Sequence, residues 1–376
     1  MRELDETAAW RPIGARLAAW RRRRGLSRDD LASSTGLEFG YLAGLETGGE
    51  WMDRRGRLAA LATALRLDVA DLTGQPYPPR GEEHAAVRAV AFHLRRLLVR
   101  RQVDMAPGVP VEELAERTRA AARADAAGDE RHLAIALPEL IEAADRAMAT
   151  AAGPGRAEAV RLRVDVHVLG AGLLRRLGYK DLAWMLLHRA CPGALESLPV
   201  LVEETRLLID LGLPEYALAR AERAERAEDA GADWEVTALA AVAQAMAGRR
   251  PEAEQLLATA AERATDARES SLVVVARAVV AAECGDTGEA ADHARAADQT
   301  ALSGAHRCGL LLVAASAEAR QGRADRAAAR LVEADAVAPM RLRLDPFARD
   351  LVAALVDRTS VQTAAVRDLA ERAGLR

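Results

Sequence analysis

Apolar side chains recur at helical spacing along almost the whole chain. Ile13, Leu17 and Trp20 share one face of a helix predicted over 13–24, which Gly25 ends. Ser27 opens a second helix, with Asp30 three residues on in capping-box position and Leu31 behind it. Thr35 and Gly36 make a tight turn. A third helix spans about 38–46 and stops at Gly48 and Gly49, a fourth covers 54–67 and a short fifth 69–72. The run from Gln75 to Gly81, with prolines at 76, 78 and 79, stops any helix. From residue 82 onward the pattern is helical nearly throughout. Looser stretches are expected at 105–110 and 153–155. The first element after the prolines, 84–103, interleaves Val87, Val90, Leu94, Leu97 and Leu98 with Arg88, Arg95, Arg96, Arg100 and Arg101. It reads as a docking helix with a solvated basic face; a dimer helix or an extra phosphate contact is the alternative.

A longer period lies over this one. Gly178, Gly212, Gly248, Gly285 and Gly322 follow one another at intervals of 34, 36, 37 and 37 residues. Five residues after each stands an alanine (183, 217, 253, 290, 327), and twelve after each another (190, 224, 260, 297, 334). Such a period, with small residues in register, means stacked helix pairs. The glycine ends the first helix of a pair, where positive φ is required. The two alanines lie on one face of the second helix and let backbones approach closely. The regular repeats occupy about 160–338, an earlier degenerate pair surrounds Gly128, and a closing pair is expected at 346–358 and 361–373. The fold class is therefore all-α, divided into an N-terminal unit over 1–74, a linker with its amphipathic helix over 75–110, and a helical repeat region over 111–376.

Composition narrows the function. Half the residues are apolar but only 3% are aromatic, so alanine and leucine form the core, which suits closely packed helices. The net charge of −4 excludes a polycation. The basic residues are all arginine except Lys180, and asparagine is absent. Cys191, Cys284 and Cys308 show no metal spacing, there is no signal peptide, and the longest apolar run, 272–282, is interrupted by Arg277. A cytoplasmic protein without metal or cofactor is expected. The seven histidines form no His-Glu-x-x-His, no phosphate-binding loop is present, and nothing supports an enzyme.

The N-terminal unit carries Arg-Gly-Leu-Ser-Arg-Asp-Asp-Leu-Ala over 24–32, Thr-Gly-Leu over 35–37, Tyr-Leu-Ala-Gly-Leu-Glu-Thr-Gly over 41–48 and Leu-Ala-Ala-Leu-Ala-Thr-Ala-Leu-Arg-Leu over 58–67. It resembles the Cro/repressor-type (XRE) helix-turn-helix domain. That resemblance implies a third helix in the major groove of double-stranded DNA. Ser27 and Arg28 would hold one phosphate, Arg54 and Arg55 a second, and Arg21 and Glu46 would form a structural ion pair. The base-facing positions of helix three would be Glu38, Phe39, Gly40 and Gly44, so Phe39 is left to touch a thymine methyl and Tyr41 to read by hydrogen bonding. With two glycines there, sequence readout is expected to be weak or carried by DNA shape. Ten arginines against six acids over 11–57 supply charge for a few phosphate contacts.

The glycine and alanine register resembles the tetratricopeptide repeat. In that arrangement the first helices line a concave face carrying Arg175 and Arg206 at one end and Val242, Val275 and Val279 further along. This groove would take a peptide, small molecule or protein with an acidic end and an apolar remainder; alternatively the arginines pair with Asp165, Glu203 or Asp210. A helix-turn-helix joined to such repeats resembles two-part bacterial transcriptional regulators that act as homodimers. The competing reading is a scaffold that binds no DNA and assembles protein partners.

Overall fold

The computed structural model describes residues 10–100, 109–153, 155–191, 197–226, 234–356, 358 and 363–375, and among these every regular element is a helix. The first unit comprises α1 (Ile13–Arg23), α2 (Arg28–Thr35), α3 (Phe39–Thr47), α4 (Arg55–Leu65) and α5 (Val69–Thr73). Its core gathers Ile13, Leu17, Leu31, Leu42, Leu45, Met52, Leu58, Leu61, Leu65 and Leu72, one or two from each helix turn that faces inward. Gly14 lies directly against the Leu45 carbonyl, so α1 and α3 touch backbone to backbone.

After the prolines come α6 (Gly81–Val99), α7 (Val111–Ala127) and α8 (Glu130–Thr150). Rather than linking two units, α6 buries Val87, Val90, Ala91 and Leu94 in one core with Leu133, Leu137 and Ile141 of α8. It is thus part of the repeat region. Most of the looser stretch expected at 105–110 lies outside the described residues.

Five helix pairs follow: α9 (Gly155–Arg176) with α10 (Lys180–Ala190), α11 (Leu198–Asp210) with α12 (Pro214–Glu225), α13 (Trp234–Met246) with α14 (Arg250–Arg263), α15 (Ala267–Cys284) with α16 (Thr287–Ala296), and α17 (Gly304–Arg320) with α18 (Ala324–Val337). Each corner glycine of the long period has positive φ, between 74° and 89°. The alanines at +5 are all fully buried, and those at +12 are buried as well, Ala297 being the most accessible at 7%. A larger side chain at either position would force the paired helices apart. Gly128, with φ of 80°, turns α7 into α8 in the same way.

A short helix the pattern did not announce, α19 (Pro339–Leu344), precedes α20 (Pro346–Leu355) and α21 (Thr363–Arg372). The end of the stack returns to its beginning. Gly304 of α17 fits against the Ala127 carbonyl of α7. Arg341 of α19 reaches Asp125 at 2.8 Å and the buried Glu130 at 2.7 Å, and Arg176 reaches the same Asp125 at 2.6 Å.

Candidate nucleic-acid interface

The turn from α1 into α2 is fixed locally. Ser27 Oγ accepts from the Asp30 amide at 3.0 Å, and the Ser27 amide donates back to the Asp30 carboxylate at 2.9 Å. Both residues are exposed. These bonds to Ser27 hold the Asp30 carboxyl below its ordinary range. The expected ion pair is present and bidentate: Arg21 Nε and Nη2 donate to the two Glu46 oxygens at 2.6 and 2.8 Å. Arg28 joins it, its Nε donating to Glu46 at 2.7 Å. Burial opposes ionisation of Glu46, but the two guanidiniums outweigh it and hold the carboxyl low. Arg28 keeps a third of its side chain accessible.

On α3, Glu38, Phe39 and Gly40 are exposed, Phe39 by 47%, and the space around Gly40 is open. One expected reader is not there, and Gly44, expected as a base-facing position, turns to the loop after α3. The Tyr41 hydroxyl turns inward and donates to the Trp51 carbonyl at 3.3 Å, its ring covered by the guanidiniums of Arg57 and Arg320 at 4.3 and 5.6 Å. Burial pushes its phenol up to about 12. Gly44 is needed by the protein itself, since a Cβ there would stand 2.6 Å from Glu50 Cγ in the loop after α3. Arg22, Arg23 and Arg24 at the end of α1 and Arg66 after α4 are exposed as well, and Arg24 donates to the Arg66 carbonyl at 3.2 Å.

The second expected phosphate contact lies against the repeat region. The start of α4 abuts the end of α15. The Glu283 carboxylate, on the last turn of α15, accepts from the Arg55 amide at 2.9 Å and the Gly56 amide at 2.6 Å. Those amides open α4 and have no partner within it. Arg54 in turn lays its guanidinium on Gly285, the residue that ends α15. Each helix terminus thus receives the charge its dipole favours, an anion at the start of α4 and a cation at the end of α15. Arg55 faces Asp210 at 4.0 Å and covers the Phe347 ring at 5.1 Å. Arg54 is half-buried here, and Arg55 keeps a third of its side chain accessible but turns its guanidinium to Asp210 and Phe347.

Other groups complete this seam. Asp350 of α20, 3% exposed, accepts from the Ile13 amide at 2.9 Å and the Met52 amide at 2.8 Å. Burial pushes its carboxyl up to about 6, against the pull of those two amides. Arg320 of α17 holds Asp53 at 2.6 Å and the Trp51 carbonyl at 2.9 Å, pairs with Glu50, and lies 4.0 Å over the Trp51 ring. Gly56 passes so close to α13 that a Cβ would be 2.5 Å from the Met246 carbonyl. The Gln75 side chain bridges the Arg176 and Leu344 carbonyls at 3.2 and 3.1 Å. Sequence reasoning missed Glu283, Asp350 and Arg320. Only the exceptional burial of two isolated carboxylates marks them, and that is a property of the fold.

The expected groove residues divide. Arg175 is buried between Glu203 at 2.7 Å and Asp210 at 2.6 Å, and Arg206 pairs with Glu203 at 3.1 Å and with Glu235. This is the pairing given above as the alternative. Val242 is packed in the core between α11, α13 and α14 and does not face an open space. Val275 and Val279 line a cavity of about 230 Å³, and Arg175 lines an adjoining one of about 220 Å³. Among the described residues no group of three metal-ligating side chains converges, and no helix is long and apolar enough to cross a membrane.

A family model described as a helix-turn-helix domain matches residues 12–73, the span of α1 to α5. The N-terminal unit is a helix-turn-helix domain, and it supports a DNA-binding regulator. A helical repeat-like region follows it. No curated protein matches the chain.

Proposed function

We propose that the protein is a DNA-binding transcriptional regulator that works as a homodimer, and that its repeat region, of tetratricopeptide type, senses a ligand or partner and restrains the DNA-binding unit. The reading rests on one observation above all: the amides that begin α4 are occupied by the Glu283 carboxylate. A helix N-terminus of this kind attracts a phosphate. The carboxylate stands in its place, so the unit in this arrangement offers DNA only the α2–α3 side, with Ser27, Arg28 and Phe39 accessible. Release of the unit would free the start of α4, Arg54 and Arg55 together. Nothing in the reading calls for catalysis or a cofactor.

The test is fluorescence anisotropy of the full chain on DNA from upstream of its own gene, against a scrambled duplex, over a salt series. Glu283→Gln should tighten binding by removing the competing charge. Arg28→Ala should weaken it and reduce the salt slope by about one. Salt-independent, equally weak binding of all three proteins to both duplexes would overturn the proposal and favour the scaffold, for which the side-chain-free Gly40 on α3 already speaks.

A further inference from the structure

We propose that the space enclosed between the helix-turn-helix unit and the repeats is a binding site for a small amphipathic anion, of which a medium-length acyl carboxylate is the simplest case. The regulatory consequence rests on the function proposed above; the binding does not.

Two adjoining cavities, of about 220 and 230 Å³, share Arg55, Gly309, Leu312, Asp345 and Phe347. Joined, they reach the size of small-molecule sites, which are mostly apolar with a few placed polar groups. Their two ends differ in chemistry. The first is lined by Arg175, Arg176, Lys180 and Arg341, with Asp210 facing them. The second is lined by Val275, Val279, Val313, Leu351 and Met52, and its Asp53 and Glu283 carboxylates are taken by Arg320 and by the α4 amides.

At the polar end the cations are not equally engaged. Arg175 is taken by Glu203 and Asp210, and Arg176 and Arg341 by Asp125 and Glu130. Lys180 is the exception. It is 8% exposed, and its Nζ donates to the Asp210 main-chain carbonyl at 2.5 Å. Among the described residues no carboxylate makes an ion pair with it. An ammonium has three donors, and the counter-charge that faces it, Asp210, is already shared with Arg175 at 2.6 Å and Arg55 at 4.0 Å. Burial pushes its pKa down against the pull of Asp210, and Arg175 and Arg55 add to the push. A ligand carboxylate beside Lys180 would supply the direct ion pair it lacks, with Arg55 next to it on the first turn of α4. An acyl chain then has one direction to run, past Phe347 and Leu312 into the valine-lined end. The volume excludes a folded partner.

One wall of this site belongs to the DNA-binding unit, through Arg55, Leu58, Val69, Met52 and Asp53. The complete site therefore exists only while that unit is docked. A ligand that needs both walls binds the docked form and stabilises it. It acts against DNA binding.

The experiment is calorimetric titration of the full chain with decanoate, with 1-decanol and acetate as comparisons, repeated on Lys180→Met and Val279→Trp. Saturable decanoate binding is expected, with decanol and acetate each weaker by about tenfold or more. Lys180→Met should lose about tenfold in decanoate affinity while its melting temperature is kept or raised, and Val279→Trp should block the apolar end. No saturable binding at millimolar decanoate, or equal binding to both variants and the parent, would overturn the site. No DNA enters this measurement. Decanoate binding that depends on Lys180 would uphold the site even if Glu283→Gln left DNA affinity unchanged, so the two proposals fail separately.

Discussion

Gly56→Ala isolates the docking of the two units from the stability of either. Gly56 lies in the first turn of α4, and its φ is not in the left-handed region. Within the helix-turn-helix unit an alanine there is favourable, raising helix propensity by about 1 kcal/mol over glycine. Against the repeats it is not. The new methyl would sit 2.5 Å from the Met246 carbonyl and 3.1 Å from the Glu283 carboxylate. A backbone carbonyl in the middle of a repeat cannot swing aside as a side-chain tip can. Overpacking of this kind costs roughly 1–3 kcal/mol. That cost falls on the docked arrangement alone, because the undocked unit carries its methyl into water. At 1.4 kcal/mol per factor of ten, release becomes about 5- to 140-fold more favourable. DNA affinity measured by anisotropy should rise within that range. Limited proteolysis should also cut the joint around Pro78 and Pro79 faster. If the variant bound DNA and resisted protease as the parent does, the carboxylate-capped seam would not be what limits DNA binding. The argument from α4 would then fall.

Two further outcomes follow from the packing and the buried carboxylates. The Asp350 carboxyl is raised by burial to about 6 from 3.8. The folded state therefore binds this proton more tightly than the unfolded chain, and the associated stability is full below pH 4 and lost as pH rises through 6, by at most about 3 kcal/mol. Asp350→Asn should flatten that part of the stability curve in urea melts at stepped pH; an unchanged slope between pH 4 and 6 would contradict it. Ala253→Leu, at a fully buried corner contact between α13 and α14, should cost roughly 1–3 kcal/mol, and an unaltered melting temperature would refute the repeat register.

Much of the fold was legible because it depends on local rules. The five corner glycines and their two alanines each report a backbone constraint that a single residue type satisfies. The capping box at Ser27 and Asp30 and the pair of Arg21 with Glu46 lie within one small unit, so spacing and family resemblance suffice. Tyr41 and Gly44 were misread for a common reason. Both serve the loop at Glu50 and Trp51, whose path is set by Arg320, 270 residues or so away in the chain. Arg54 and Arg55 were assigned to DNA because nothing in a linear string says that α15 ends where α4 begins. That meeting depends on how the intervening helix pairs stack, to which every small rotation between neighbours contributes. The two faces of α6 were readable from its spacing, Val87, Val90 and Leu94 meeting α8 while Arg95 and Arg96 stay exposed. In the groove, the alternation of arginine and valine along the first helices was readable. The pairing of Arg175 and Arg206 with neighbouring carboxylates was readable as an alternative, whereas the loss of Val242 to the core was not.

The seam also has a mechanical consequence. The small unit is pinned at Gly212 on the second pair, Glu283 on the fourth, Arg320 on the fifth and Asp350 beyond them. The unit is a stiff body with one continuous core, whereas a stack of helix pairs is a spring whose pitch changes by small increments at every joint. A stiff body fastened to a spring at four coils cannot follow a change in pitch at all of them. Hydrogen bonds tolerate a few tenths of an ångström, so a slight winding or unwinding, shared over the intervening pairs, would break several fastenings at once. The unit would then behave as a gauge of superhelical pitch, letting go at a threshold instead of loosening in proportion.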